Sequence, residues 1–309
     1  MSAGDGERRG VVLRDEGSQL IVDLDGEETA CVLRKTLRRR AGKERKAVAV
    51  GDHVVVEASG DGMAIVDVEP RKTAISRPDP SRRRREQVLV ANLDAVLIVT
   101  ATREPDLAPG LIDRFLVAAE CRGLEAAIAV NKIDLDPAGS WQAVASVYSD
   151  LGYAVLPVSA ASGEGVEAVR EFLHGRTTAL LGHSGVGKSS LANALDPSLR
   201  LRVGSVNPVT GLGTHTTTTI ALLRLPWGGY LVDTPGIREF GLWNMELRDL
   251  GPWYRDLAAH ADQCRFNDCL HEREPGCAVK EAVAAGSVVA WRYESYLRIL
   301  ESLREMPEY

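Results

Sequence analysis

The run Gly182-His183-Ser184-Gly185-Val186-Gly187-Lys188-Ser189 fits the pattern G-x-x-x-x-G-K-[ST] at every position. Such a loop functions between a buried strand and the first turn of a helix. Its flanks, Ala179-Leu180-Leu181 before and Ser190-Leu191-Ala192-Asn193-Ala194-Leu195 after, provide both. Glycines at 182, 185 and 187 let backbone N–H groups turn inward around phosphates without a Cβ in the way. The following helix adds its positive end. Lys188 is placed to reach the terminal phosphates and the Ser189 hydroxyl to ligate magnesium. His183, Ser184, Val186 and Ser190 complete the stretch expected to line a nucleotide. From Val88 to the strand before Asp233, apolar strand-like runs alternate with helical stretches around this motif, which indicates an α/β domain built on a parallel sheet.

A phosphate loop does not select a base. Asn131-Lys132-Ile133-Asp134 follows the apolar run Ala126–Val130, and an Asp134 carboxylate could accept two hydrogen bonds, from guanine N1–H and the 2-amino group. Adenine lacks both donors in that position, so its binding would leave the carboxylate unpaired. Lys132 would lay its stem over the base. Val158-Ser159-Ala160, after another apolar run, matches the short loop that backs guanine with a main-chain N–H. Asp233-Thr234-Pro235-Gly236 closes a further strand, with Asp233 suited to hold a magnesium-bound water and Gly236 to sense the γ-phosphate. Between lies Gly211-Leu212-Gly213-Thr214-His215 and four more threonines, a switch-like loop in which Thr217 is the expected magnesium ligand. Together these motifs indicate GTP; a P-loop ATPase or kinase is the reading that N-K-I-D argues against.

The order of the motifs is permuted. Ras-like enzymes run phosphate loop, switch threonine, D-x-x-G, N-K-x-D and S-A. Here N-K-x-D and S-A come first, so the segment after Gly236 leads directly into the C-terminal region. Ras-like enzymes also place a water-orienting Gln after the D-x-x-G glycine, whereas this chain has Ile237. His215 is the candidate for that catalytic role. An adaptor that holds GTP with negligible hydrolysis is the competing reading.

Around this core the texture changes twice. Residues 10–70 read as short β-branched strands (11–14, 19–24, 29–34, 47–58 and 63–68) broken by Gly and Asp, which suits a small closed barrel, an OB-fold or an SH3-like one. A linker is expected over 71–87, the GTPase domain over 88–240 and a helical metal-binding domain over 241–309. Residues 1–85 carry 18 Lys+Arg against 15 Asp+Glu, and the remainder 19 against 28. The basic excess is concentrated in Lys35–Lys46 and Arg82–Arg85, a pattern that fits either a polyanion-binding face or a solvated loop. Cys264-x4-Cys269-x-His271-x5-Cys277 offers three thiolates and an imidazole, the donor set of a closed structural zinc site; an iron–sulfur cluster or redox thiols are the other options. Cys31 and Cys121 read as inert core thiols. In the last helix, Tyr293, Leu297, Leu300 and Arg304 mark the expected packed stripe. No run approaches the ~18 apolar residues of a membrane span and no secretory signal is evident, so a cytoplasmic location without membrane contact is expected.

Barrel, permuted GTPase motifs and Cys-Cys-His-Cys knot together resemble the ribosome small-subunit-dependent GTPase A family, through the segments GHSGVGKSSLANAL, GLGTHTTT, DTPGIREFGLW and CRFNDCLHEREPGCAVKEAV. The resemblance spans about Gly10 to Met306. It implies a protein that binds the small ribosomal subunit late in maturation, hydrolyses GTP to GDP there with stimulated turnover, and leaves. It also implies that an OB-fold and a zinc domain both contact ribosomal RNA; the expected cofactors are Mg2+ with GTP and one Zn2+ per chain. The expected oligomeric state is a monomer.

The base assignment has a direct test. Asp134→Asn should weaken GTP binding by about 2–4 kcal/mol, the scale of hydrogen bonds to a charged group, and shift preference toward xanthosine nucleotides. Nucleotide titrations showing unchanged GTP affinity would contradict it.

Overall fold

The computed structural model describes residues 7–40, 47–60, 62–79, 82–199, 201, 220–233, 241–242 and 245–305. In chain order, β1 (Arg8–Asp15), β2 (Leu20–Leu24), β3 (Glu27–Leu33), α1 (Lys35–Arg40), β4 (His53–Ser59) and β5 (Gly62–Val68) come first. β6 (Ala74–Asp79) and β7 (Arg82–Ala91) follow. Then strands and helices alternate: β8 (Ala95–Ala101), α2 (Pro109–Glu120), β9 (Glu125–Asn131), α3 (Gln142–Asp150), β10 (Ala154–Pro157), α4 (Val166–Leu173), β11 (Thr177–Leu181) and α5 (Lys188–Leu195). After β12 (Ala221–Arg224) and β13 (Tyr230–Asp233), the described chain is helical: α6 (Arg255–Ala261), α7 (Ala278–Ala284) and α8 (Ala290–Arg304). Two compact units result, one of residues 1–95, 173–180 and 206–239, the other of 96–172, 181–205 and 240–309.

In the first unit, β1 pairs antiparallel with β2, β2 with β3, β5 with β4 and β4 with β1, while β3 and β5 run parallel. The circuit 1-2-3-5-4-1 closes a five-stranded barrel, with α1 inserted between β3 and β4. That is the OB-fold rather than the SH3-like option. Val12, Val22, Leu24, Val54, Val56 and Ile65 fill the interior, and Leu37 of α1 joins them. Closure removes sheet edges that would otherwise remain unpaired. The run 47–58 is not one strand. Gly51 takes φ 86°, and the fully buried Asp52 accepts the Ala49 N–H at 2.7 Å and a bidentate pair from Arg71 at 2.6 and 2.8 Å. The chain turns there and β4 starts at His53.

Ala74–Asp79 pairs antiparallel with Arg82–Ala91, so a hairpin lies within the stretch expected as a linker. The basic loop at 41–46 lies outside the described residues, as do the side chains of Arg82–Arg85.

β11 pairs parallel with β13, and β13 antiparallel with β12, which meets β1 at Arg14↔Ala221. Buried Asp23 on β2 accepts hydrogen bonds from Tyr230 on β13 at 2.8 Å and from the Gly26 N–H at 2.7 Å. In the second unit every residue of β8 is buried, as are five of the seven residues of β9. Such strands have both faces covered. β9 runs parallel to β10, with Ala127 opposite Ala154.

The helical C-terminus docks on α2 through a buried charge cluster. Arg292 of α8 gives a bidentate pair to Asp256 of α6 at 3.0 and 2.7 Å and a third bond to Asp113 of α2, which Tyr148 also reaches at 2.8 Å. Arg292 is 2% exposed and Asp113 fully buried. The buried face of α8 is therefore Arg292, Ser295, Tyr296, Ile299, Leu300 and Leu303. It is displaced from the expected stripe, since Arg304 is exposed and Tyr293 and Leu297 only half-buried. An arginine can hold a core position because two carboxylates compensate its charge. Burial works against that charge, yet the bonds to Asp256 and the charge of Asp113 raise the guanidinium pKa above its ordinary value.

Arg292→Met should leave two buried carboxylates uncompensated, a loss of about 3–5 kcal/mol. Hydrogen exchange across α6 and α8 should accelerate by about 100-fold or more. Exchange rates within a few-fold of the parent protein would show that the cluster does not hold the helices.

Candidate functional site

The phosphate loop leaves β11 and turns on three positive-φ glycines, Gly182 at 144°, Gly185 at 84° and Gly187 at 94°. Two are sterically enforced: a Cβ on Gly182 would overlap the Val99 carbonyl oxygen, and one on Gly187 would overlap Nδ2 of Asn131. Gly187 also caps α5, so the helix begins at Lys188. The Lys188 ammonium donates to the Gly182 and His183 carbonyls at 2.8 Å each, spanning the base of the loop. Burial lowers its pKa from the ordinary lysine value, which is the direction that an arriving anion reverses. His183, Ser184 and Gly185 are exposed, Val186 is buried, and Ser189 and Ser190 are half-buried.

Asn131 joins this loop to the two others. Its Nδ2 donates to the Val186 carbonyl at 2.9 Å, and its Oδ1 accepts the Ala160 N–H at 3.1 Å. A single carboxamide at 1% exposure thus holds the phosphate loop, the N-K-x-D loop and the S-A loop in one arrangement. Lys132 follows in the left-handed region, φ 62°, and its ammonium donates to the Glu104 carbonyl. Asp134 sits in the turn Ile133–Leu135, exposed, with Oδ1 accepting from the Ser159 hydroxyl at 2.5 Å. Ser159 is fully buried, and its oxygen also accepts the Ser162 N–H at 3.1 Å. The carboxylate is fixed in direction while remaining open to a ligand.

Among the expected nucleotide residues, the structure brings together 131–134, 159–160 and 182–190. Asp233 ends β13, on the strand paired with β11. His215, Thr217, Gly236 and the side chain of Asp233 lie outside the described residues, and so does Ile237.

A second constellation lies in the C-terminal region. The ligating atoms of Cys264, Cys269, His271 and Cys277 all lie within 4.8 Å of one another. His271 Nδ1 is 3.5 Å from the Sγ atoms of Cys264 and Cys277, and those sulfurs are 3.9 Å apart. A tetrahedral zinc ion with Zn–S of about 2.3 Å and Zn–N of about 2.0 Å sets ligand edges of about 3.5–3.8 Å. The donors therefore fit one ion. Without a cation, burial and the neighbouring Cys277 sulfur push the Cys269 thiol up to about 12, which is the cost a thiolate-binding metal removes. The loop is shaped around the site. His271 is left-handed at φ 57°, the Glu274 carboxylate accepts the N–H groups of Leu270, Glu272 and Arg273 at 3.0–3.1 Å, and Tyr293 and Tyr296 of α8 donate to the His271 and Leu270 carbonyls at 2.6 and 2.9 Å. The two remaining thiols differ in placement: Cys31 is buried in the barrel, Cys121 half-buried, and burial raises both pKa values.

Sequence reasoning missed the loop after β8, where Thr102 and Glu104 brace the N-K-x-D segment, and the Arg292 cluster. No spacing pattern flags either; a buried-helix arginine between aromatic residues is the only trace of the second.

These arrangements have counterparts in known proteins. Residues 68–243 match the model of the RsgA GTPase family. The small ribosomal subunit biogenesis GTPase RsgA of Gemmatimonas aurantiaca is 42% identical over 301 residues, covering 95% of this chain and 97% of that protein. The protein of the same name from Chlorobaculum tepidum is 43% identical over 307 residues, covering 96% and 98%. Among solved structures, YjeQ from Thermotoga maritima superposes with a TM-score of 0.79 at 34% identity, covering 97% of this chain and all of that one. YloQ, described as a circularly permuted GTPase, gives 0.75 at 26% identity with complete coverage of both chains.

The thiol cluster is open to direct assay. Elemental analysis of freshly purified protein should find about one metal ion per chain. Cys269→Ser should lose it and expose the Cys264–Cys277 loop to proteolysis, while GDP binding stays unchanged. Protein without bound metal, and with the loop still protected, would contradict a metal site.

Proposed function

The chain belongs to the RsgA GTPase family, and from that membership we propose that this GTP-hydrolysing enzyme acts in biogenesis of the small ribosomal subunit, binding the subunit and turning over GTP faster when bound. The observation that carries the reading is the Asn131 carboxamide, which joins a complete phosphate loop to a guanine-type N-K-x-D loop. The relatives that share these motifs over nearly their full length are named for that process.

In this reading Asp134, aimed by Ser159, takes the guanine N1–H and 2-amino donors, Lys132 covers the base, and the Ser159–Ala160 loop backs it. The backbone N–H groups of 182–190 and Lys188 cradle the phosphates. Magnesium, when bound, supplies charge neutralisation at the β- and γ-phosphates, with Ser189 and Thr217 as the residues that would hold it and Asp233 positioning a water. Gly236 senses the γ-phosphate. His215 orients the attacking water, which Ile237 cannot do, and GDP and phosphate are the products. Zinc is the metal assigned to Cys264, Cys269, His271 and Cys277; its role is to hold the C-terminal loop.

Functionally, residues 1–70, 88–240 and 241–309 serve as RNA-binding barrel, GTPase domain and zinc-bearing domain of a cytoplasmic monomer. The basic segments at 35–46 and 82–85 provide salt-sensitive contact with ribosomal RNA, because neutralising phosphates releases counterions. Among the described residues no helix is long and apolar enough to cross a membrane. Ile237 favours one second reading, a GTP-latched RNA-binding adaptor with negligible hydrolysis.

Hydrolysis measured with and without purified small subunits separates the two. Slow turnover alone, strong stimulation by small subunits and little by large subunits is the expected outcome. His215→Ala should remove most of the stimulated rate while GTP affinity and subunit binding stay nearly intact. No stimulation at low salt would overturn the ribosomal role.

A further inference from the structure

Asp134 can discriminate guanine only if its turn is held rigid, and beside the Ser159 bond to its carboxylate and the Ile133 N–H bond to the Val158 carbonyl, the Lys132 carbonyl holds that turn. Lys132 C=O accepts the Leu135 N–H at 3.0 Å, closing the turn Ile133–Leu135 that carries Asp134. The same oxygen accepts the Thr102 hydroxyl at 2.6 Å. The Thr102 N–H in turn donates to the Asn131 carbonyl at 3.0 Å. Thr102 therefore grips both residues preceding the turn, from the end of the neighbouring buried strand β8.

The grip has something to resist. Lys132 is a non-glycine residue at φ 62°, a conformation that costs of order 1 kcal/mol unless its surroundings enforce it. Thr102 is 7% exposed, so its hydroxyl is not diluted by water and loses a partner if the turn rearranges.

We infer that Thr102 is a positioning residue for base selection: by fixing the Lys132 carbonyl it sets where Asp134 points, and so tightens recognition of the guanine 2-amino group. This rests on the guanine-site reading above. The dependence is specific. Removing the hydroxyl should leave the phosphate loop, held by Gly182, Gly187 and Lys188, unaltered, and should loosen only the far end of the site.

The test compares GDP with IDP, which keeps N1–H but lacks the 2-amino group. In calorimetric titrations of the full chain, Thr102→Val should lower the GDP-to-IDP affinity ratio by about five-fold, the scale of one hydrogen bond. Thr102→Ser, which keeps the hydroxyl, should retain the parent ratio. Hydrogen exchange at the Leu135 amide should accelerate in Thr102→Val alone. A purely structural role would weaken GDP and IDP equally, and an unchanged ratio with folded protein would overturn the inference. Thr102→Ala carries the same comparison should valine not be accommodated. Failure of the parent protein to prefer GDP over ADP would instead bring down the guanine assignment itself, and this inference with it.

Discussion

The proposed nucleotide site depends on the side chain of Asn131. Phosphate binding and base selection are separate chemical problems, and the loops proposed for them, 131–134, 159–160 and 182–189, are distant in sequence. A guanine nucleotide spans them only if their spacing is fixed before it arrives. One buried carboxamide fixes it, donating to Val186 and accepting from Ala160. The close packing is mutual, since only a glycine at 187 leaves room for that amide. A preorganised site of this kind spends little of its binding energy on ordering the loops.

The permuted order affects what surrounds the site more than the site itself. Strand and loop contacts do not depend on where the chain is cut, so the N-K-x-D and phosphate loops meet as they would in a conventional order. What changes is the neighbour. α2, which begins just after the Thr102–Glu104 loop, carries Asp113, and Asp113 is bound by Arg292 from the last helix. That helix also supports the thiol cluster through Tyr293 and Tyr296. The Cys-His loop and the N-K-x-D side of the proposed site are thus connected through buried contacts between helices. Both halves of the Asp113–Arg292 contact are charged, which makes it specific in geometry and intolerant of losing one partner.

Legibility in the sequence followed the type of physics involved. The phosphate loop was readable because its glycines answer a backbone requirement that few residues meet, and Gly182 and Gly187 show that requirement directly. The Cys-His set was readable because metal donors are chemically distinctive. The barrel was readable as β-structure, but only pairing distinguishes 1-2-3-5-4-1 from other small barrels, and the parallel β3–β5 contact leaves no local trace. Where reading failed, a tertiary partner overrode local pattern. Asp52 and Arg71 broke an apparent strand at Gly51, and Arg292 took a core position that hydropathy assigns to an apolar residue.

If the loops at 131–134, 159–160 and 182–189 form one nucleotide site, the Asn131 carboxamide is what joins them. Calorimetric titration of GDP into Asn131→Ala tests it most directly, with the Cys-His metal content as a check that the fold is retained. The account predicts a loss of affinity of about 100-fold or more, because two hydrogen bonds vanish and the Val186 carbonyl and Ala160 N–H are left unpaired. A folded, metal-loaded variant that binds GDP as tightly as the parent protein would contradict it.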